Sequence, residues 1–322
     1  MSQPKKRGTA NRSVEKAPSS KAIATGRRGR WTAIIIASVV VAIIMIIVGV
    51  FYYQQYVAPF RRTILTVDDI TINMDYFIKR TRLAGAESFT MLQVLTDEQL
   101  IKLEAPRYVG EVTPKDIDQE LRRIAGGESE TITESEFKEW YRQQLNETEL
   151  SDSEYRELAR TYILRLRLHE YLAERMSTVA EHVHLHAIML ETYEDAEKVR
   201  ARWEAGEDFA DLAREVSLDW ESGEKGGDIG WFPRGVLDYG FERVAFDLST
   251  DNVSEILPTP EGYYLLMVSE KADAREIDEN FLQVLKGRAL EVWLSEEMQF
   301  HEIKYNFNSE INAWIEWQLT KR

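Results

Sequence analysis

The chain has 322 residues, of which 44 % are hydrophobic, 30 % charged and 11 % aromatic, enough apolar material to exclude wholesale disorder. It carries 40 Lys and Arg against 55 Asp and Glu, and no cysteine, which excludes disulfide scaffolds, thiolate metal sites and cysteine nucleophiles. The formal charge of −15 is unevenly spread: residues 1–30 hold nine basic side chains and one acid, so the rest of the chain is strongly acidic. An acidic body argues against nucleic acid as a partner, because phosphate binding needs clustered positive charge.

Residues 32–53 contain no charged side chain, and residues 34–50 are almost wholly Ile, Val and Ala. Twenty-two residues at ~1.5 Å each reach ~33 Å, the thickness of a bilayer's hydrocarbon core. Trp31 at one end and Phe51, Tyr52, Tyr53 and Tyr56 at the other are placed as interfacial aromatics. A cleaved signal peptide is the alternative, but the apolar run is too long for one and Val57-Ala58-Pro59 is a poor cleavage site. The expectation is a retained signal anchor over residues 31–53. Residues 1–30 then form a disordered, basic cytoplasmic tail and the remainder lies outside the membrane.

Beyond the anchor, Ile64-Leu65-Thr66-Val67 and Ile70-Thr71-Ile72 read as a hairpin turning at Asp68-Asp69, with Asn73 capping a helix through Arg82. Helical signals then dominate to about residue 180. Thr113-Pro114-Lys115-Asp116 puts proline in the first turn behind a Thr cap, and Ser151-Asp152-Ser153-Glu154 offers a capping box before a helix over 155–176. In that helix Leu158, Tyr162, Leu166, His169 and Leu172 fall near helical spacing. Residues 125–129 read as a loop. Near residue 182 the composition shifts: eight of the 17 glycines lie within 182–270, and apolar alternation, a helix, Gly-rich turns and strands follow one another. That mixture predicts a compact α+β unit beside a helical one over 57–180. Residues 277–297 are helical again, with Leu282, Leu285, Ala289, Val292 and Trp293 on one stripe expected to return to the helical unit. The aromatic end around Trp314 and Trp317 carries no assignment.

One stretch is specific. Gly206-Glu207-Asp208-Phe209-Ala210-Asp211-Leu212-Ala213 is followed by Ser217, then Gly226-Gly227-Asp228-Ile229-Gly230-Trp231-Phe232 and Arg234-Gly235. After these come Phe241-Glu242, Ala245-Phe246, Val253-Ser254 and Glu261-Gly262-Tyr263-Tyr264. In order and spacing this set resembles the parvulin family of peptidyl-prolyl isomerases, over residues 181–271. The flanks, with a single anchor, helices before the unit and a helical segment over 272–322, resemble extracytoplasmic foldases of the SurA, PrsA and PpiD type.

The resemblance implies an α+β fold: an N-terminal transmembrane helix, a helical chaperone-like domain, a parvulin domain with a small antiparallel sheet among helices, and a C-terminal helix. It implies no cofactor and, as partners, unfolded or nascent secreted proteins presenting Xaa-Pro peptides. By resemblance the proline pocket maps to Ile229, Phe232, Leu237 and Phe241. The family's first active-site histidine falls on Ala187 and its second on Tyr264, while the Cys-or-Asp position falls on Asp219 and the Thr-or-Ser position on Thr259. Asp219, Thr259 and Tyr264 are therefore the expected polar cluster, in which the Tyr264 hydroxyl would bond Thr259 or Asp219. A one-residue shift would put His186 in the first histidine position but flip the strand's alternation. His182, His184 and His186, at i, i+2 and i+4 of a strand, are weighed as a zinc chelate and read instead as one strand face, with no metal expected. Gly226, Gly227 and Gly230 read as turn and close-approach residues and Asp228 as a turn carboxylate. Two functions remain open: an anchored isomerase, or a parvulin fold that cradles unfolded peptide with little or no turnover. A purely structural envelope scaffold is a third and has no particular support.

Overall fold

The computed structural model describes residues 1–2, 25–127 and 132–321; side chains of 25–30, 32 and 33 are not among them. The expected disordered tail falls mostly outside these residues, as does part of the expected loop at 125–129. Two compact units, Met1–Arg62 and Thr63–Arg322, divide the chain.

The first unit is one long helix, α1 (Thr25–Tyr52), continued by a π-helical turn (Tyr53–Val57) and a 3-10 turn (Ala58–Arg61) at Pro59. It begins six residues ahead of Trp31, where the anchor was expected to start. Within it Ile34–Arg61 is long and apolar enough to cross a membrane, and its window of apolar side chains is unburied.

The second unit opens on the expected hairpin, β1 (Thr63–Val67) and β2 (Ile70–Asn73), paired antiparallel. Asp68 takes a left-handed turn conformation (φ +50°), and its carboxylate accepts from His301 Nδ1 at 2.7 Å and from the Glu302 amide at 2.9 Å. Asn73 caps α2 (Met74–Ala84) by accepting from the Tyr76 amide at 2.9 Å. There follow α3 (Ser88–Glu104), the short α4 (Pro106–Val109), α5 (Pro114–Gly126), α6 (Glu134–Thr148) and α7 (Asp152–Glu174). The caps at Thr113 and Ser151 both close as reciprocal capping boxes.

The face that α7 buries differs from the expected stripe. Ala159, Ile163, Leu164 and Leu168 are buried, whereas Tyr162 and Leu166 are exposed. This helix carries apolar residues around most of its circumference, so periodicity leaves its phase open; the packing of α3, α4 and α5 against it sets the phase.

The parvulin-like region is built on a long central strand, β3 (Val179–Leu190), followed by α8 (Tyr193–Glu204), α9 (Phe209–Val216) and α10 (Trp220–Glu224). Then come β4 (Asp228–Pro233), α11 (Tyr239–Asp247), β5 (Leu257–Pro258) and β6 (Tyr263–Glu276). The antiparallel sheet runs β4-β3-β6-β5. On one face Ile188, Leu190 and Leu265 pack with Val199, Phe209 and Leu212 of α8 and α9. On the other, Val183, Leu185 and Val268 pack with Ala245 and Phe246 of α11.

The chain ends with α12 (Glu279–Glu297), β7 (Ile303–Tyr305) and α13 (Ser309–Thr320). Helix α12 packs on α7 and α3 through Leu282, Ala289, Trp293 and Leu294, while Val292 of the expected stripe is exposed. Strand β7 pairs with β1, Leu65 opposite Tyr305, so β2-β1-β7 joins both ends of the second unit. Ile315 of α13 is fully buried where that helix meets α2 and α3.

Helices α2 and α3 are clamped by a buried ion pair. Arg80 donates to both oxygens of Glu98 at 2.7 Å, and also to the Tyr76 hydroxyl at 2.9 Å. Both side chains are under a tenth exposed. Removing one partner of such a pair strands a buried charge. Glu98→Ala should therefore cost about 3–5 kcal/mol in equilibrium unfolding, and Arg80→Met with Glu98→Leu together should recover most of it.

Candidate active site

Three of the residues expected to line a proline pocket, Ile229, Phe232 and Leu237, pack on the α11 face of the sheet. Register decides which residues share that face: Leu185 is opposite Val268, Ala187 opposite Leu266, and Met189 opposite Tyr264. Alternation places Ala187 and Tyr264 on the same side as Val183 and Leu185. His186 points the other way and bonds Ser269 Oγ at 3.2 Å, so it does not take the Ala187 position. The Ala187 amide donates to the Gly227 carbonyl at 2.8 Å.

The four expected pocket residues fall in two groups. Ile229, Phe232 and Leu237 pack on the cluster of Val183, Leu185, Ala245, Phe246 and Val268. Phe241 sits apart from that cluster, edge-on to the Tyr264 ring with centroids 5.3 Å apart. Phe232 also meets Phe281 of α12, with centroids 5.5 Å apart, a neighbour that nothing in the sequence motif indicated. The loop between β4 and α11 is pinned twice. Its Gly235 amide donates to Glu242 Oε1 at 2.7 Å, and Arg288 of α12 donates to the Gly235 and Val236 carbonyls at 3.0 and 2.8 Å.

The polar residues are not joined as expected. Thr259 is committed to its own turn: its hydroxyl donates to the Gly262 carbonyl at 3.0 Å and accepts from the Glu261 and Gly262 amides. Asp219 precedes α10 and accepts from Ser222 Oγ at 2.6 Å. Among the described residues the Tyr264 hydroxyl has no hydrogen-bond partner, so the expected bond to Thr259 or Asp219 is absent. The turn geometry at 259–262 satisfies Thr259 locally before Tyr264 can compete. Partial burial, and then the charges of Glu261 and Asp219, push the Tyr264 phenol above its ordinary value. Tyr264 is thus a neutral donor with a carboxylate in electrostatic reach.

Two further features escaped sequence reasoning. Ser217 Oγ accepts from the Met189 amide at 3.2 Å and the Leu218 amide donates to the Met189 carbonyl at 2.8 Å, which ties the Asp219 segment to the end of β3. Leu218, Trp220 and Tyr239 are large apolar side chains left exposed on the segments that carry Asp219 and open α11. A sequence has no signal for which aromatics are left uncovered. The histidine run also divides. His182 is buried with Nδ1 on the Ala180 carbonyl, while His184 Nε2 meets Asp228 Oδ1 at 2.9 Å and its ring stacks on Trp231. Asp228 therefore does more than shape a turn. Partial burial pushes its carboxyl up, but the bonds from His184 and the Gly230 amide outweigh that and hold it below its ordinary value.

Residues 187–270 match the rotamase family described as the PPIC-type PPIase domain. The chain carries a parvulin-type domain. Two curated relatives extend the likeness beyond it. The foldase protein PrsA of Halalkalibacterium halodurans is 38 % identical over 106 residues, 33 % of this chain and 32 % of that one. PrsA of Oceanobacillus iheyensis is 29 % identical over 211 residues, 62 % of this chain and 67 % of that one. The chain thus spans from about a third to about two thirds of the length of such relatives. A crystal structure of the peptidylprolyl isomerase PrsA from Bacillus cereus superimposes with a TM-score of 0.38 at 17 % identity, over 81 % of this chain and 100 % of that one.

Within the parvulin domain, Gly227 has a conformation and a contact that only glycine accepts. Its φ is +80°, and a Cβ there would lie 2.8 Å from the Ala187 carbonyl oxygen. Gly227→Ala should destabilise the domain by roughly 1–3 kcal/mol, read from its thermal or denaturant unfolding.

Proposed function

We propose that the chain is a membrane-anchored foldase whose parvulin domain binds Xaa-Pro segments of unfolded or newly secreted proteins and isomerises their prolyl bonds. The observation that supports this reading is that the family match over 187–270 contains half-buried Ile229, Phe232 and Leu237 against the α11 core and Phe241 edge-on to Tyr264.

Rotation about an Xaa-Pro amide must break resonance against a barrier of about 18–20 kcal/mol. Nothing has to be covalently transferred. In this reading an apolar wall, made by Ile229, Phe232 and Leu237 on one side and Phe241 beside Tyr264 on the other, strips water from the amide, and so disfavours its charge-separated planar form. The same wall holds the pyrrolidine ring. Tyr264 stands where the family's second histidine would, as a neutral hydroxyl donor to the turning amide. Ala187 contributes no polar group. This last point, with the Thr259 hydroxyl occupied by its turn, favours the second reading: a peptide-binding chaperone with weak turnover.

The anchor supports a single-pass topology with the basic tail in the cytoplasm and the body outside, and that topology puts the groove where secreted chains emerge. Protease added outside spheroplasts should digest the chain beyond residue 60 and spare the tail; loss of the tail alone would reverse the orientation.

The deciding experiment follows cis-to-trans relaxation of short Xaa-Pro peptides with the full chain in detergent micelles. Acceleration that falls on Tyr264→Phe without loss of peptide affinity supports the isomerase. Binding without acceleration supports the chaperone. In either case Phe241→Ala should weaken peptide binding on the order of 10–100-fold in a titration, as expected for removing one buried aromatic wall. Because the Tyr264 phenol is held above its ordinary pKa of about 10, the isomerisation rate should show no alkaline fall below pH 9.

A further inference from the structure

On the sheet face opposite α11, three side chains converge that the groove does not use. His184 and His186 alternate with Val183 and Leu185 along β3, and Asp228 opens β4 directly opposite His186. One ligand atom from each, a ring nitrogen of either histidine and a carboxylate oxygen, lies within 4.8 Å of the others, and all three residues are half-buried. The register of β3 shifts on both sides at this point, at Leu185/His186 against β4 and at His184/Leu185 against β6. Bulges of this kind re-aim side chains.

The hydrogen bonding of His184 is incomplete in a telling way. Its Nε2 faces Asp228 Oδ1 at 2.9 Å, and its Nδ1 is buried without a hydrogen-bond partner, with the nearest carboxylate, Glu270 Oε1, at 3.8 Å. If Nε2 carries the proton, Nδ1 presents a buried lone pair towards a carboxylate. If Nδ1 carries it, Nε2 and Asp228 meet as two acceptors. Neither neutral tautomer satisfies both sides of the ring. A cation between Nε2 and Asp228 removes the conflict, leaving Nδ1–H to face Glu270 as the outer carboxylate that commonly orients a ligating histidine.

We propose that His184, His186 and Asp228 bind a divalent transition-metal ion of the zinc class, completed by water. Two imidazoles and a carboxylate are the donor set such borderline ions take, and bonds of about 2.0–2.2 Å put ligand atoms roughly 3.3–3.6 Å apart. The ligand atoms, all within 4.8 Å of one another, lie around that spacing. His182 is not part of the cluster: the residues whose ligand atoms come within 4.8 Å of one another are His184, His186 and Asp228, while His182 is buried with its Nδ1 on the Ala180 carbonyl. A bound ion bridges β3 to the turn that leads from Gly226 and Gly227 into β4, the same turn whose Gly227 carbonyl holds Ala187.

The test uses the full-length chain in micelles, free of affinity-tag histidines and stripped with chelator. The probes are Zn2+ in equilibrium dialysis and Co2+ by visible absorption. Expected are one ion per chain, imidazole-type ligand-field bands with Co2+, and a thermal midpoint that rises with Zn2+ concentration. Asp228→Asn, which keeps the side chain's shape, and His186→Gln should each weaken binding roughly tenfold or more. His182→Gln and His169→Gln should leave it unchanged. Absence of stoichiometric binding by the unaltered protein overturns the site, as does binding that Asp228→Asn leaves intact or that His182→Gln abolishes. None of these outcomes depends on isomerase activity.

Discussion

The parvulin domain depends on one strand that must satisfy two faces at once. β3 lies between β4 and β6, with α8 and α9 packed on one side and α11 on the other. A side-chain period of two gives it no freedom to slip: moving one residue would carry Val183 and Leu185 out of the α11 core and His184 and His186 into it. Gly227 reinforces the constraint from the turn before β4, because the close approach to Ala187 fits a single register. The cluster around Asp228 and the two hydrophobic cores are consequences of that register.

Local chemistry was the legible part of the sequence. Asn73, Thr113 and Ser151 cap the helices their spacing predicts, because a cap is decided by three or four adjacent residues. The ordered parvulin set was equally readable, since glycine and aromatic positions fixed by turns keep their spacing. Phase and closure were not legible. The buried face of α7 had to be chosen by its neighbours, and β7 is a three-residue strand with no periodicity of its own, existing only because β1 offers it an edge.

The polar cluster shows the same limit in a more consequential place. The residue types at Asp219, Thr259 and Tyr264 could be mapped by resemblance, but whether they touch depends on competing partners. Ser222 reaches Asp219 first, and the turn at Gly262 captures Thr259. Tyr264 is left with its ring on Phe241 and, among the described residues, its hydroxyl without a hydrogen-bond partner. Conversely, His184 was weighed only with its neighbouring histidines and Asp228 only as a turn carboxylate, until strand pairing set these two positions, 44 residues apart, side by side.

The pairing of β1 with β7 has a consequence for the order in which the molecule comes into being. The four-stranded sheet of the parvulin domain and the cores on its two faces come from one uninterrupted stretch, so they can close as soon as that stretch is available. The β2-β1-β7 sheet cannot. Its first two strands are synthesised early and then wait, one edge unpaired, while nearly all the remaining chain is made. Closing so long a loop slows the step that depends on it. The helical region is therefore the last to close, because its sheet stays open until the C-terminal strand has been made.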